Sequence, residues 1–215
     1  MIIDVKICGV ERTESVDAAV KHGAAYIGFV FYQPSPRNLT LEKAQELVCR
    51  VPKSITRVGL FVDPTNSEIE NVLAGTDVNM IQLHGLETPS RVLEIKKLSQ
   101  LPILKAIKLA KREDLNSATR FYDVADFLLF DSKAPENLEN ALPGGNAISF
   151  DWTLLRHTKI PLPWMLAGGL NANNILEATT SSGASTLDVS SGVESTPGIK
   201  DLNLIEKFLT MAKTI

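Results

Sequence analysis

Residues Met165–Asn174 read MLAGGLNANN, and residues Leu187–Glu194 read LDVSSGVE. Each segment starts with a short apolar run typical of a buried strand and continues into a turn of small residues, Gly168-Gly169 and Ser190-Ser191-Gly192. Glycine lets the main chain approach a ligand closely, and a helix start after such a turn offers backbone N–H groups that suit a phosphate. The two turns together predict a phosphate-binding site.

Eight apolar runs predict eight strands, and a polar-faced segment able to form a helix follows each of them. The predicted strands are Ile3–Cys8, Tyr26–Phe31, Thr56–Val62, Met80–Leu83, Ile103–Ile107, Phe127–Phe130, Trp164–Leu166 and Thr186–Val189. Eight units in 215 residues is about 27 residues per unit, which suits a minimal closed parallel barrel. The sequence therefore predicts an α/β protein, a single (β/α)8 TIM barrel over residues 1–215. In this fold the active site lies at the C-terminal ends of the strands, and the loops after strands 7 and 8 bind phosphate.

A doubly wound open sheet also alternates strands and helices, and it is the main structural alternative. The barrel is favoured because polar residues follow nearly every predicted strand and do not cluster at one switch point. Helical apolar spacing is clearest in four segments, with N-caps predicted at Thr40 and at Thr65 or Asn66. Those segments are Thr40–Arg50, Asn66–Ala74, Ser90–Ser99 and Leu202–Ala212. The longest irregular stretch, Ser132–Ser149, predicts a functional loop.

Composition and charge narrow the class of protein and its partners. The formal net charge is −3, which provides no basic surface for nucleic acid or anionic lipid. No apolar stretch is long enough to span a membrane, and the charged N-terminus does not read as a signal peptide. Cys8 and Cys49 lack paired spacing, which indicates a reducing compartment. We expect a cytoplasmic protein that binds a small phosphorylated molecule; protein partners are not predicted.

Cys8 ends the first strand and is followed by Gly9, so a barrel would place its thiol at the ligand-binding end. A thiol there suits a general base or nucleophile, although a free cysteine is commonly a small buried apolar residue. An ordinary thiol with a pKa near ~8.5 is mostly protonated at neutral pH, so a base would need assistance. Lys6, two residues earlier, should also point inward, and a structural pairing with an acid such as Asp188 is favoured over a role in catalysis.

Two further positions suit substrate binding. Arg37 follows Ser35-Pro36 in a loop stiffened by proline, where a fixed guanidinium can bind a planar carboxylate through two hydrogen bonds. A surface arginine in a turn is the alternative. His84 follows the fourth strand and either lines the mouth or satisfies a loop carbonyl. His22 and His157 lie in other contexts, so no metal site is predicted.

Two aspartates stand at strand ends. Asp131 follows the apolar run FLLF, where partial desolvation favours the protonated form and suits a general acid. Its alternative is a cap or a loop hydrogen bond. Asp188 lies within the eighth strand on the same face as Ser190, and an aspartate there opposes local propensity, which is common at functional positions.

Taken in order, these residues resemble the phosphoribosylanthranilate isomerase family over the whole chain. The motifs that carry the resemblance are Lys6-Ile7-Cys8-Gly9, Gly28-Phe29-Val30-Phe31 leading to Ser35-Pro36-Arg37, Val58-Gly59-Leu60-Phe61-Val62, Gln82-Leu83-His84-Gly85, Phe150-Asp151-Trp152, Leu166-Ala167-Gly168-Gly169-Leu170 and Asp188-Val189-Ser190-Ser191-Gly192-Val193-Glu194. Each motif alone is weak, but the ordered set is specific.

The resemblance implies an Amadori rearrangement in tryptophan biosynthesis, in which N-(5-phosphoribosyl)anthranilate becomes an aminoketose without a cofactor or metal. It implies that Asp131 is the general acid at the furanose ring oxygen and Cys8 the general base at C2. Arg37 would bind the anthranilate carboxylate, with Asp188 and His84 also contacting substrate. The phosphate would be bound by main-chain donors near Gly145, Gly168, Gly169, Ser191 and Gly192.

One segment departs from the family pattern. The family commonly has Gly-Gly-Thr-Gly before Phe-Asp-Trp, whereas this chain has Gly144-Gly145-Asn146-Ala147. Three alternatives remain: the related histidine-pathway isomerase, a phosphate-binding barrel without catalysis, and a metal-dependent hydrolase. Cys8 argues against the first, Cys8 and Asp131 together argue against the second, and the absence of convergent His and carboxylate spacing argues against the third.

Overall fold

The computed structural model describes residues 3–133, 144–145 and 148–215. Eight parallel strands form a closed barrel in chain order, and β1 pairs with β8 to complete it. The strands are β1 Asp4–Cys8, β2 Tyr26–Phe31, β3 Thr56–Phe61, β4 Met80–Leu83, β5 Ile103–Leu109, β6 Phe127–Ser132, β7 Trp164–Leu166 and β8 Thr186–Val189. The predicted fold is confirmed, and β5 and β6 each extend two residues beyond the predicted end.

Most strand residues are buried because side chains on one face fill the barrel and those on the other face pack under the helices. One apolar cluster, distinct from the main core, comprises Val58, Met80, Leu104, Ala106, Leu129, Met165 and Ala167. A separate, smaller cluster of Cys8, Val30 and Leu60 lies closer to the mouth.

Six α-helices surround the barrel within the described residues. They are α1 Thr13–Lys21, α2 Leu41–Cys49, α3 Asn66–Gly75, α4 Pro89–Ser99, α5 Ile175–Ser182 and α6 Leu202–Ala212. Thr40 caps α2 by accepting a hydrogen bond from the Lys43 N–H. Thr65, and not Asn66, caps α3 in a capping box with Glu68. These side chains satisfy N–H groups that the first helical turn leaves without a partner.

The helical segment after β5, Arg112–Phe121, is a 3₁₀ helix and not an α-helix. Ser117 Oγ donates to the Asp114 carbonyl at 2.6 Å, and Thr119 Oγ1 donates to the Asn116 carbonyl at 2.9 Å. Short polar side chains that bond to nearby carbonyls compete with regular α-helical hydrogen bonding. After β6, the described residues form only the short 3₁₀ helix Trp152–Leu154.

A hairpin that sequence reasoning did not predict follows β8. A 3₁₀ turn at Ser191–Val193 leads into β9, Glu194–Thr196, which pairs antiparallel with β10, Ile199–Lys200. Pro197-Gly198, a dipeptide typical of turns, joins the two strands and was the available signal. Within the described part of the chain, no helix is both long and apolar enough to cross a membrane.

Candidate active site

One cavity opens at the carboxyl ends of the strands, and side chains from distant parts of the chain meet there. Nine of the ten predicted site residues line it: Cys8, Arg37, His84, Asp131, Gly145, Gly168, Gly169, Asp188 and Ser191. Gly192 lies behind the lining, where an added Cβ would overlap the Leu170 carbonyl oxygen. Parallel strands in a barrel bring their carboxyl ends to one face, which is why residues spread over the sequence meet.

The Cys8 thiol lies beside a buried ion pair. Lys6 and Asp188 are partners in the β1–β8 register, and Lys6 Nζ donates to Asp188 Oδ1 at 2.9 Å. The pairing expected for Lys6 is therefore present. A Cβ at Gly28 on β2 would lie 2.9 Å from Cys8 Sγ and 3.1 Å from Lys6 Nζ. The glycine thus leaves room for both side chains to stand next to each other.

The charges around Cys8 act in opposite directions on its ionisation. Burial raises the pKa of the thiol, the positive charge of Lys6 opposes this, and the negative charge of Asp188 adds to the increase. The result is a raised pKa, so the thiol form predominates at neutral pH. Burial also opposes the charge on Lys6, but Asp188 and Cys8 outweigh it and raise the pKa of Lys6.

Asp131 is the penultimate residue of β6 and is buried in a hydrogen-bonded chain. Its Oδ1 accepts from the Ser132 N–H at 2.9 Å, and its Oδ2 lies 3.1 Å from His84 Nε2. Gln82 Nε2 lies 2.9 Å from His84 Nδ1. An amide nitrogen only donates, so this pattern assigns the imidazole proton to Nε2, from which it is donated to Asp131.

The loop that carries His84 is fixed from beneath by a buried lysine on β5. Lys105 Nζ donates to the carbonyls of Leu83 at 3.3 Å and Gly85 at 2.9 Å, and to Glu87 Oε2 at 2.8 Å. Glu87 in turn accepts from the Gly85 and Asp63 N–H groups. These bonds hold the loop that His84 occupies, so the imidazole is presented to Asp131 from a rigid support.

Arg37 is buried and its guanidinium is already paired. Nε and Nη2 donate to the two carboxylate oxygens of Glu194 at 2.7 and 2.8 Å. Nη2 also lies 3.4 Å from the Gly145 carbonyl oxygen. Glu194 therefore takes the Nε/Nη2 edge of the guanidinium, whereas Nη1 lies against Gly145, another cavity residue. Sequence reasoning placed Arg37 at the site but missed Glu194, although that residue ends the LDVSSGVE segment.

The glycine pair after β7 adopts the conformation that the predicted phosphate turn requires. Gly168 and Gly169 have φ values of +88° and +65°, a region that side chains with a Cβ rarely adopt. A Cβ at Gly169 would also lie 2.9 Å from the Ser149 nitrogen. The turn therefore packs closely against the segment that follows the loop after β6. Asn146 and Ala147 of that loop lie outside the described residues.

Within the residues that the structure describes, no group of three or more His, Cys, Asp or Glu side chains is arranged to hold a metal ion. The charged and polar groups of the cavity instead form side-chain pairs: Lys6 with Asp188, His84 with Asp131, and Arg37 with Glu194. The arrangement can therefore move protons at two separate points and bind anionic groups between them.

Comparison with known proteins gives one consistent family. A family model described as N-(5'phosphoribosyl)anthranilate (PRA) isomerase matches residues 5–211. The N-(5'-phosphoribosyl)anthranilate isomerase of Paramagnetospirillum magneticum is 48% identical over 213 residues, covering 99% of this chain and 98% of that protein. The crystal structure of phosphoribosyl anthranilate isomerase from Thermotoga maritima has a TM-score of 0.86 at 32% identity, covering 99% of this chain and 100% of its own.

Another crystal structure, of a phosphoribosyl anthranilate isomerase, contains reduced 1-(o-carboxyphenylamino)-1-deoxyribulose 5-phosphate. It is 30% identical to this chain, with a TM-score of 0.83, covering 99% of this chain and 100% of its own. The bound compound combines a carboxylate, an aromatic amine and a sugar phosphate in one molecule.

Proposed function

Because the chain belongs to the N-(5'-phosphoribosyl)anthranilate isomerase family, we propose that it works by general acid–base catalysis, with Asp131 as the acid and Cys8 as the base. The chain is an isomerase of tryptophan biosynthesis that converts N-(5-phosphoribosyl)anthranilate into 1-(2-carboxyphenylamino)-1-deoxyribulose 5-phosphate. The observation that carries the proposal is that the Asp131 carboxyl group and the Cys8 thiol line one cavity. Asp131 lies in a hydrogen-bonded chain, whereas Cys8 lies beside an ion pair.

In the first step, Asp131 protonates the furanose ring oxygen as the bond from that oxygen to C1 breaks. The nitrogen lone pair forms the C1–N double bond, which leaves a protonated Schiff base. The N–H of Ser132 and the Nε2–H of His84 both point at the Asp131 carboxyl group. These donors stabilise the carboxylate that remains after the proton has moved, and so favour the transfer.

In the second step, the Cys8 thiolate removes the proton from C2. The electron pair of that bond moves towards the positively charged nitrogen and gives an enolamine, which becomes the aminoketose when C1 is protonated and the C2 hydroxyl loses its proton. C1 is reduced and C2 is oxidised within the same molecule. The rearrangement is thus balanced without an external oxidant or reductant, which is why we expect no cofactor.

Charge on Lys6 supports the second step. A thiolate beside an ammonium group is stabilised, which offsets part of the cost of burying its charge. Lys6 Nζ is held next to Cys8 by its bond to Asp188. Asp188 thus has two functions in this proposal: it holds Lys6, and from the cavity wall it contacts the sugar or the amine of the substrate.

Further binding groups in the cavity complete the proposed site. Arg37 would bind the anthranilate carboxylate, with His84 lining the wall next to Asp131. Main-chain donors near Gly145, Gly168, Gly169 and Ser191 would bind the phosphate, with Gly192 supporting the turn. The positive φ values of Gly168 and Gly169 support this assignment, because only such a turn lets the main chain approach the ligand closely.

We further propose that residues 1–215 act as one catalytic domain, since β1 and β8 close the barrel. The cytoplasm is the proposed compartment, because Cys8 must not be oxidised if it is to act as the base, and reducing conditions keep cysteines reduced. Cys8 and Cys49 are both free.

The test is turnover of freshly prepared N-(5-phosphoribosyl)anthranilate by the purified, metal-free protein, followed by the loss of anthranilate-type fluorescence. We expect decay well above the spontaneous hydrolysis rate, with the aminoketose as the product. Tight binding of a phosphorylated sugar analogue without turnover would contradict the proposed chemistry and favour a binding barrel. Turnover of the bis-phosphorylated histidine-pathway substrate alone would favour the related isomerase.

A further inference from the structure

We propose that Glu194 and Lys200 are positioning residues that hold Arg37 in the orientation needed to recognise a carboxylate, and so make the enzyme selective for an aromatic amine that carries one. The inference rests on the proposed function, because it concerns the carboxylate end of the same cavity. The sequence analysis predicts no role at the site for either residue.

Glu194 is the centre of a buried group of three charges, which we call the charge triad: Arg37, Glu194 and Lys200. Besides its two bonds from Arg37, the carboxylate accepts from Lys200 Nζ at 2.6 Å. The side chain of Glu194 is 3% exposed and that of Lys200 is 0% exposed. Placing charged groups out of water is costly unless each is paired with good geometry. Such an arrangement indicates a function that uses the fixed charges.

The ionisation of Glu194 reflects these partners. Burial acts to raise the pKa of its carboxyl group, but the hydrogen bonds from Arg37 and the charge of Lys200 outweigh it and lower the pKa to about 2. Glu194 is therefore ionised at any pH at which the enzyme would work. Burial lowers the pKa of Lys200, although Glu194 opposes this. While Lys200 is protonated, the charge triad carries one surplus positive charge beside the cavity.

The geometry of the guanidinium explains how this surplus would be used. A guanidinium has two edges that can each bind a carboxylate with two parallel N–H bonds. Glu194 takes the Nε/Nη2 edge, which fixes the plane of the group. Nη2 also donates to the Gly145 carbonyl at 3.4 Å, so Nη1, beside Gly145, is the nitrogen through which a substrate carboxylate would bind. An arginine held in one orientation binds a planar carboxylate more tightly, because it loses less side-chain freedom on binding.

The hairpin that carries Glu194 and Lys200 is itself held on both sides of the cavity mouth. Lys200 Nζ donates to the Ser190 carbonyl at 3.0 Å and to Ser190 Oγ at 3.2 Å. A Cβ at Gly198, in the hairpin turn, would lie 2.7 Å from the Pro36 carbonyl oxygen. Arg12 Nη2 donates to the Lys200 carbonyl at 2.7 Å. The charge triad thus connects the loop of Arg37 with the turn after β8.

The experiment compares two substrates and one conservative change. Ribose 5-phosphate is condensed with anthranilate or with aniline, which gives two glycosylamines that differ only in the carboxylate. For Glu194→Gln, we expect kcat/KM on the anthranilate compound to fall by about 10- to 100-fold, the range for loss of charge-assisted hydrogen bonds. On the aniline compound the change should stay below about threefold, because no carboxylate depends on Arg37. Most of the selective loss should appear in KM.

Glu46→Gln is the matched control, since Glu46 forms an exposed pair with Lys43 on α2. Folding is checked by near-UV circular dichroism and thermal melting. If Glu194→Gln does not fold, the double variant Glu194→Gln with Lys200→Met is used, because it removes the unpaired lysine as well. Its readout is ligand binding and not turnover, because Lys200 also acts on the ionisation of Cys8. The same selective loss is expected. If the aniline compound turns over too slowly for kinetics, calorimetry is used instead. It compares binding of the reduced product with binding of its carboxylate-free counterpart.

Equal losses on both compounds would overturn the inference, because the charge triad would then support only the shape of the cavity. No loss on either would overturn it as well. A wild-type enzyme that turns over neither compound is a different result. It would show that the proposed function is wrong before any variant is considered, and the inference would fall with it.

Discussion

The two sides of the barrel mouth hold the two proposed proton-transfer groups, Cys8 and Asp131, by different means. On the side formed by β1 and β8, the thiol of Cys8 lies beside the Lys6–Asp188 ion pair, which we call the base side. On the side formed by β4 and β6, Asp131 ends a chain of hydrogen bonds through His84 to Gln82, which we call the acid side. On the acid side, Asp131 accepts hydrogen bonds from the Ser132 N–H and from His84 Nε2, and Lys108, its partner in the β5–β6 register, adds a positive charge. On the base side, an ammonium and a carboxylate act directly on Cys8.

The difference follows from what each group must do. A buried thiol becomes a base only when its anion is stabilised, and a neighbouring ammonium provides that stabilisation. A carboxylic acid must release its proton, and hydrogen-bond donors stabilise the carboxylate that is left. Two environments in one cavity can thus support opposite proton transfers at the same pH.

Removal of the base should have the largest effect. Cys8→Ala is expected to lower kcat by about 10⁴-fold, at the upper end for general base catalysis, because no other group is assigned to the C2 proton. Binding of the reduced product should be retained in calorimetry. Cys49→Ala, at the exposed free cysteine, is the control and should be fully active. Retained turnover by Cys8→Ala would remove the thiol from the mechanism.

Loss of the acid should be somewhat less severe, because the glycosylamine ring also opens spontaneously. Asp131→Asn keeps the shape of the side chain and is expected to lower kcat by about 10³-fold, within the range for general acid catalysis. Steady-state kinetics separate the two possible roles. A loss confined to KM would make Asp131 a binding residue and would erase the distinction between the two sides. Asp17→Asn, at an exposed ion pair with Arg50, is the control.

Lys6→Met tests whether charge distinguishes the base side. Without Lys6, the pKa of Cys8 should rise further, because burial and Asp188 still raise it and only the smaller effect of Lys200 still lowers it. The thiolate fraction below the pKa increases tenfold per pH unit, so kcat/KM should rise with pH and the rise should begin at higher pH in the variant. We expect a loss of about 10- to 100-fold at pH 7, which corresponds to one or two pH units of displacement.

The pH profile is the decisive measurement for this variant. The loss should shrink as the pH increases, because hydroxide then ionises the thiol in both proteins. A loss of the same size at every pH would instead show that Lys6 only supports the structure. Lys43→Met, at a lysine on the surface of α2, should leave the profile unchanged.

The smallest effect is expected at Gln82, which is buried and reaches Asp131 only through His84. Gln82 Oε1 is buried and has no hydrogen-bond partner among the described residues, so the amide costs stability. Its retention in β4 is explained if Nε2 keeps His84 in the tautomer that donates to Asp131. Gln82→Leu should lower kcat by about threefold to tenfold, roughly the value of one neutral hydrogen bond, with KM unchanged.

Stability should not fall with that activity. Gln82→Leu removes a buried unpaired oxygen, so the free energy of unfolding measured in urea should stay the same or increase. A parallel loss of stability and activity would show that Gln82 is a structural residue. Gln45→Leu, on the exposed face of α2, provides the comparison for a change of the same chemical type.

The fold could be predicted because its signals are local. Apolar runs, the small-residue turns and Thr caps are short-range patterns, and eight repeats at a regular spacing leave few ways to arrange them. The helix type after β5 has an equally local reason. Ser117 and Thr119 bond to carbonyls three residues earlier, which tightens the segment to a 3₁₀ helix, and propensity alone does not decide between the two.

What the sequence determined by itself was the order of the strands and the residues that stand at their ends: Cys8, Asp131 and Asp188 among them. Tertiary structure decided which of these side chains meet. Arg37 and Glu194 are 157 positions apart, and His84 reaches Asp131 only because the loops after β4 and β6 converge at the mouth. Spacing along the chain carries no information about such pairs, because they exist only once the barrel has closed and brought the strand ends together.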